Sequence, residues 1–158
     1  MSGHTVAVEW ERGGSPFTDH RYSRAHRWYF DGGAEVPGSS SPAVVRVPFS
    51  DPAAVDPEEA FVASLSSCHM LWFLDLAARD GMVVDRYADR AEGCLTKRED
   101  GKWWLSRVVL SPEIRFSGDR VPTDEVLRDL HHRAHEQCFL ANSVKTEIEV
   151  RGNWTHTA

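Results

Sequence analysis

The sequence predicts an α+β fold, and three observations carry that prediction. Alternating apolar and polar segments open and close the chain, two helical segments interrupt them, and a turn-centred hairpin lies between the helices. The order is therefore sheet, buried helix, hairpin, second helix and strand, with no internal repeat or low-complexity tract. At 158 residues and 41% hydrophobic content, the chain is expected to form one domain spanning residues 1–158.

Each element has its own signal. Thr5 to Trp10 alternates as a strand does, and Gly13-Gly14-Ser15-Pro16 stops it. His26 to Phe30 reads as a strand running into the turn Asp31-Gly32-Gly33, and Ala43 to Val47 as a further strand after the polar Gly38-Ser39-Ser40-Ser41-Pro42. These segments predict a twisted antiparallel sheet. Asp56 is a good N-cap, Pro57 suits the first helical position, and Glu59 can close a capping box, so a helix is predicted from about Pro57 to Asp80, ended by Gly81. Its apolar residues cover more than one stripe, which predicts burial on most sides. Tyr87 to Lys97 reads as a strand, Glu99-Asp100-Gly101-Lys102 as a hairpin turn, and Trp103 to Phe116 as a long partner strand. Thr123 is placed to cap a second helix whose Val126, Leu127, Leu130 and Ala134 face the core, with Cys138 extending that stripe. Lys145 to Trp154 reads as the last strand.

Charge and composition exclude several classes of function. A net charge of -6 and a pI near 5.7, with scattered Lys and Arg, leave no footprint for a nucleic-acid backbone. Met1-Ser2-Gly3-His4 is not a basic region followed by an apolar run, and no stretch is expected to reach the roughly 18 apolar residues of a membrane span. A cytoplasmic protein without membrane or nucleic-acid partners is the expectation. Three cysteines cannot all pair within one chain, which disfavours a secreted disulfide framework.

The chemistry centres on Cys68, a thiol on the first helix, and on Cys138, seventy residues later at the end of the second. A buried thiol by itself behaves as a small hydrophobe, and reactivity requires a neighbouring cation or helix N-terminus to favour the thiolate. Ser66 and Ser67 can hydrogen-bond a thiolate, whereas His69, about 100° around the helix from Cys68, is poorly placed to act as its base. Arg24 and Arg27, embedded among aromatics in Tyr22-Ser23-Arg24-Ala25-His26-Arg27-Trp28-Tyr29, are candidate cations or else solvated strand-edge charges. Glu58 can orient such an arginine or serve only as a helix-start acid. A rival constellation is zinc binding, because His131, His135 and Cys138 share one helix face at i, i+4 and i+7, with Cys68 as a fourth ligand. Cys94, mid-strand with no expected charged neighbour, reads as structural.

The run Asp56-Pro57-Glu58-Glu59 through Ser67-Cys68-His69-Met70, followed by Gly81 and Val84-Asp85, resembles the OsmC/Ohr family of thiol peroxidases. So does Cys138-Phe139-Leu140-Ala141-Asn142-Ser143-Val144, while Tyr22-Ser23-Arg24-Ala25-His26 with Phe30-Asp31-Gly32-Gly33 resembles its OsmC-like branch. The resemblance covers nearly the whole chain. It implies an intertwined homodimer of strongly curved antiparallel sheets wrapped around central helices, with no resident cofactor or metal. It further implies that Cys68 is the peroxidatic and Cys138 the resolving cysteine, that these form a disulfide, and that Glu58 holds an active-site arginine, assigned to Arg24 with Arg27 in reserve. An external dithiol, lipoyl-type or thioredoxin-like, would recycle the disulfide. Trp72, Phe73, Phe139 and Leu140 would form a pocket favouring organic hydroperoxides over hydrogen peroxide. A non-catalytic binding protein of the same fold is the alternative to an enzyme. The second motif departs from the family's usual Cys-Pro, having Phe139 after Cys138. Ten residues of straight helix separate Glu58 from Cys68 by about 15 Å and roughly 80°. Either the helix breaks near Ser66-Ser67, or Glu58 serves the site of a partner subunit, and the second is the expectation.

Overall fold

The computed structural model describes residues 3–157, and the chain divides between Ala60 and Phe61 into two units. In the first, β1 (Val6–Glu9), β2 (His26–Phe30) and β3 (Glu35–Gly38) form an antiparallel sheet in sequence order. Val6 lies opposite Phe30, and His26 opposite Gly38. The β2–β3 turn is closed by the Gly33 N–H on the Phe30 carbonyl and the Phe30 N–H on the Ala34 carbonyl, both at 2.9 Å. The strand expected at Ala43 to Val47 does not form. There the N–H groups of Val44 and Val45 both reach the Ser41 carbonyl at 2.9 Å, and the Ser41 hydroxyl accepts from Ala43, so a local turn outcompetes β-propensity.

Helix α1 (Pro57–Arg79) begins as predicted: Asp56 Oδ1 accepts the Glu59 N–H at 2.8 Å, and Glu59 Oε2 accepts the Asp56 N–H at 3.1 Å. It runs unbroken through Ser66 and Ser67, which removes the helix-break alternative, and Gly81 at φ +73° lies just beyond its end. An 18-residue window of α1 averages a mean hydropathy of 1.4, so, contrary to expectation, this helix meets the length and apolarity of a membrane span. Its stripe of Leu65, His69, Phe73, Leu76 and Ala77 is instead buried in protein.

In the second unit, β4 (Val83–Asp89), β5 (Glu92–Lys97), β6 (Trp103–Leu110) and β7 (Pro112–Ser117) precede α2 (Asp124–Gln137) and a 3-10 turn at Ala141–Ser143. The chain then forms β8 (Glu147–Val150) and β9 (Asn153–Thr157). Two three-stranded sheets result, β4-β7-β9 and β5-β6-β8, each with one antiparallel and one parallel pairing. Each of the three long strands expected here is thus two strands, broken at Arg90-Ala91, at Ser111 and at Arg151-Gly152. The breaks are stitched together. Asp89 Oδ1 accepts the Ser111 N–H, and the Leu110 carbonyl accepts the Arg151 N–H at 2.8 Å, so each long segment serves both sheets. One core joins Phe73, Leu76, Ala77, Met82, Ile114, Phe116, Leu127, Leu130 and Ala134, while Leu65, Val108 and Leu110 centre a smaller one. Gly93 lets β5 approach α1, because a Cβ there would lie 2.6 Å from Val62 Cγ2.

Candidate functional site

The middle of one helix and the end of another bring two sulfurs together. Cys68 lies in the middle of α1, half-buried, and Cys138 forms the C-cap of α2, 1% exposed, with its N–H on the carbonyls of Ala134 and His135. The Cys138 thiol donates to Cys68 Sγ at 2.7 Å, and both cysteines are free. Burial, followed by the hydrogen bond it makes to Cys68, pushes the Cys138 thiol up to about 11, although the Ala141 N–H, 3.4 Å from its sulfur, opposes the shift. At neutral pH the proton therefore stays on Cys138, directed at Cys68.

The Cys68 sulfur opens onto a cleft of about 260 Å³ lined by Ser64, Ser67, Leu71, Trp72, Phe139 and Leu140. Trp72 meets Phe139 edge to face, with ring centroids 5.6 Å apart. Three of the four apolar pocket residues expected from sequence are therefore present. Phe73 is not: it is fully buried in the core against Tyr87, Phe116 and His131, because a helix turns it about 100° away from Trp72. Neither serine hydroxyl reaches the sulfur. Ser66 donates to Asp89 Oδ2 and Ser67 to the Ser64 carbonyl, satisfying polar groups beside the strand break and within the helix.

The zinc arrangement is not built. Among the described residues no group of three or more His, Cys, Asp or Glu side chains could hold a metal ion, since Cys138 turns to Cys68 and His131 turns away to His69. His69 Nε2 and His131 Nδ1 are 3.0 Å apart, and burial lowers both imidazoles to about 4, with the neighbouring His131 also pressing on His69. This pair escaped the sequence reading, although the spacing Leu65, His69, Phe73 and Leu127, His131 already puts both rings on core-facing stripes. Cys94 also differs from expectation: Arg107, opposite it on β6, brings Nη2 to 4.0 Å from its sulfur.

Arg24, Arg27 and Glu58 belong to the first unit. Arg24 lies 3.9 Å over the Tyr22 ring, and its Nη1 donates to the carbonyls of His20, at 2.7 Å, and Tyr22. Arg27 is exposed and 3.8 Å from Glu35 across the β2–β3 pair. Glu58 is half-buried in the first turn of α1.

Residues 50–152 match the family model described as OsmC-like protein. No curated protein matches the sequence. Among solved structures, an OsmC-like protein of unknown function from Vibrio cholerae is 52% identical, covers 97% of this chain and 100% of its own, and superposes with a TM-score of 0.93. An organic hydroperoxide resistance protein from Elizabethkingia anophelis is 17% identical with a TM-score of 0.67, over 99% of this chain and 98% of its own. One from Bacillus subtilis is 16% identical with a TM-score of 0.62, over 98% of each chain. The latter two share the fold.

Proposed function

This chain belongs to the OsmC-like protein family, and from that premise we propose that it is a cysteine-based peroxidase that reduces organic hydroperoxides, or hydrogen peroxide. The observation that carries the proposal is the approach of the two sulfurs at 2.7 Å beside an apolar cleft. The Cys68 thiolate attacks one peroxide oxygen, the O–O bond breaks, and the departing alkoxide takes a proton to leave as an alcohol, with Cys68 oxidised to a sulfenic acid. The Cys138 S–H stabilises negative charge on Cys68 before this step. Cys138 sulfur then attacks the sulfenic sulfur, the hydroxyl takes the Cys138 proton and leaves as water, and a Cys68–Cys138 disulfide remains. An external dithiol, lipoyl-type or thioredoxin-like, returns both thiols while becoming a disulfide itself.

Arg24 is assigned to stabilise the thiolate and the developing oxyanion, with Arg27 in reserve, and Glu58 to orient that arginine across an intertwined homodimer. The pairing of Arg27 with Glu35 favours Arg24 over Arg27. Trp72, Phe139 and Leu140 are assigned to hold the organic group of the substrate. A single domain over residues 1–158 working in the cytoplasm completes the reading.

The test is peroxide consumption with cumene hydroperoxide and a dithiol. Cys68→Ser should abolish turnover, and Cys138→Ser should accumulate sulfinic acid at Cys68. Wild-type protein whose mass and thiol content do not change with one equivalent of peroxide would sink the proposal.

A further inference from the structure

Three side-chain ties among polar or sulfur atoms join α1 and α2, cap residues included, in the described residues: the Asp80–Arg133 ion pair at the C-terminal end of α1, and, next to each other at its middle, Cys68 with Cys138 and His69 with His131. The histidine tie is a built feature. His69 is 2% exposed, the two rings stack at 5.3 Å and 15°, and Phe73 packs on His131 with centroids 4.6 Å apart. His131 Nε2 is buried without a partner among the described residues. An orphaned lone pair is tolerated better than an orphaned N–H, which assigns the proton to His131 Nδ1 and makes His69 Nε2 its acceptor.

The placement of the two adjacent ties is unequal on the two helices. On α2, His131 and Cys138 lie two turns apart on one face, about 10 Å along the axis. On α1, Cys68 and His69 are at almost the same height but about 100° apart around the helix. A small rotation of α1 about its axis would carry Cys68 and His69 together along α2, and roughly 10° of rotation at a side-chain radius of about 5–6 Å moves the sulfur about 1 Å. The apolar contacts of Phe73, Leu76 and Ala77 with α2 resist separation but have little directionality, whereas a buried hydrogen bond at 3.0 Å has a narrow range of length and angle.

We propose that the His69–His131 pair is a positioning device for the resolving step: it locks the rotation of α1 against α2 so that Cys138 captures the Cys68 sulfenic acid before a second peroxide does. The inference rests on the peroxidatic and resolving roles assigned above. Two reactions compete for the sulfenic acid. Attack by Cys138 forms the disulfide and releases water, while a second hydroperoxide adds its oxygen to give a sulfinic acid and releases an alcohol. Neither histidine lines the cleft at Cys68, so both are positioning residues.

The experiment reads the ratio of disulfide to sulfinic acid at Cys68 by intact-protein mass spectrometry across a cumene hydroperoxide titration without reductant. In His131→Leu, which removes the donor, the sulfinic fraction at a given peroxide concentration should rise about tenfold, since misplacement by about 1 Å has effects of one to two orders of magnitude. His131→Asn, whose amide nitrogen replaces Nδ1, should return the ratio to within about threefold of wild type, a rescue that loss of general stability would not produce. If His131→Leu does not fold, His69→Asn serves instead, because its shorter amide falls short of Nε2, and the same rise is expected. A wild-type ratio in the hydrogen-bond-deficient variant, or an equal rise in His131→Asn and His131→Leu, would overturn the proposal. Wild-type protein that forms neither product would instead overturn the peroxidase reading and this inference with it, so the two failures are distinguishable.

Discussion

Cys138, the buried His69 and the half-buried His131 share a physical situation, since each is kept uncharged at neutral pH by withdrawal from water. For the thiol, burial keeps the proton on Cys138, whose S–H is directed at Cys68. For the imidazoles, burial leaves a neutral pair whose folded values near 4 lie below the ordinary 6.5. Between these values the unfolded chain binds protons that the folded chain does not, so stability is lost as pH falls from about 6.5 towards 4 and is insensitive to these groups above 6.5. A shift of that size on one well-buried imidazole corresponds to about 3 kcal/mol at pH 4. Urea denaturation at pH 7.0, 6.0 and 5.0 should therefore show a falling midpoint while ordinary carboxylates are still ionised. An unchanged midpoint across that window would contradict neutral burial of the pair. Sequence spacing already placed Cys138 on the core stripe of α2, and the family resemblance set Trp72, Phe139 and Leu140 near Cys68. The histidine pair was hidden because a His in the run His131-His132 amid charged residues looks solvated until the opposing helix is known.

At the scale of elements, local signals were sufficient wherever capping or turn chemistry decided the outcome. The Asp56-Glu59 capping box and the Thr123 cap on the Val126 N–H both form, and the helices they start have the predicted extents to within a residue or two. Strand continuity differs from expectation for the opposite reason. Val108, Leu110, Pro112, Ile114 and Phe116 keep one parity and are all buried, so periodicity does not register the break at Ser111. That break depends on Asp89, more than twenty residues away in sequence. Close approach of α1 to β5 is likewise a tertiary fact, and it yields a definite expectation at Gly93. A methyl group there meets Val62 Cγ2 at 2.6 Å and Leu105 Cδ2 at 3.1 Å, and the branched valine has little freedom to retreat. Gly93→Ala should destabilise the protein by about 1–3 kcal/mol, visible as a lowered thermal midpoint, because overpacking forces α1 away from the sheet. A midpoint equal to wild type would mean that the two elements are not held so closely.

For the whole molecule, the apolarity of α1 exceeds what its own chain covers. Only 28% of its most apolar 18-residue window is buried, Leu71 is 62% exposed, and Phe139 beside the cleft is 71% exposed. The proposed homodimer would supply the missing cover, and it would let Glu58 orient an arginine at the partner's site from a helix that runs unbroken through Ser66 and Ser67. Sedimentation equilibrium should give twice the chain mass of 17.8 kDa, and Leu71→Asp should weaken the dimer and lower peroxidase turnover together. A monomer in dilute solution with full activity would refute both the dimer and the assignment of Glu58 across it.

The sequence by itself determined the α+β class, the helix boundaries, the antiparallel character of the first sheet and, through the family motifs, the two cysteines that meet. Each of these depends on caps, turns, periodicity or motif within a short run of residues. Only the tertiary structure decided that the long strands bend into two sheets, that Ser66 serves Asp89 instead of Cys68, that Phe73 packs in the core, and that His131 bonds His69 instead of joining a metal site. Those outcomes are choices among partners for a buried polar or apolar group, and the available partners are set by segments distant along the chain that folding brings within reach.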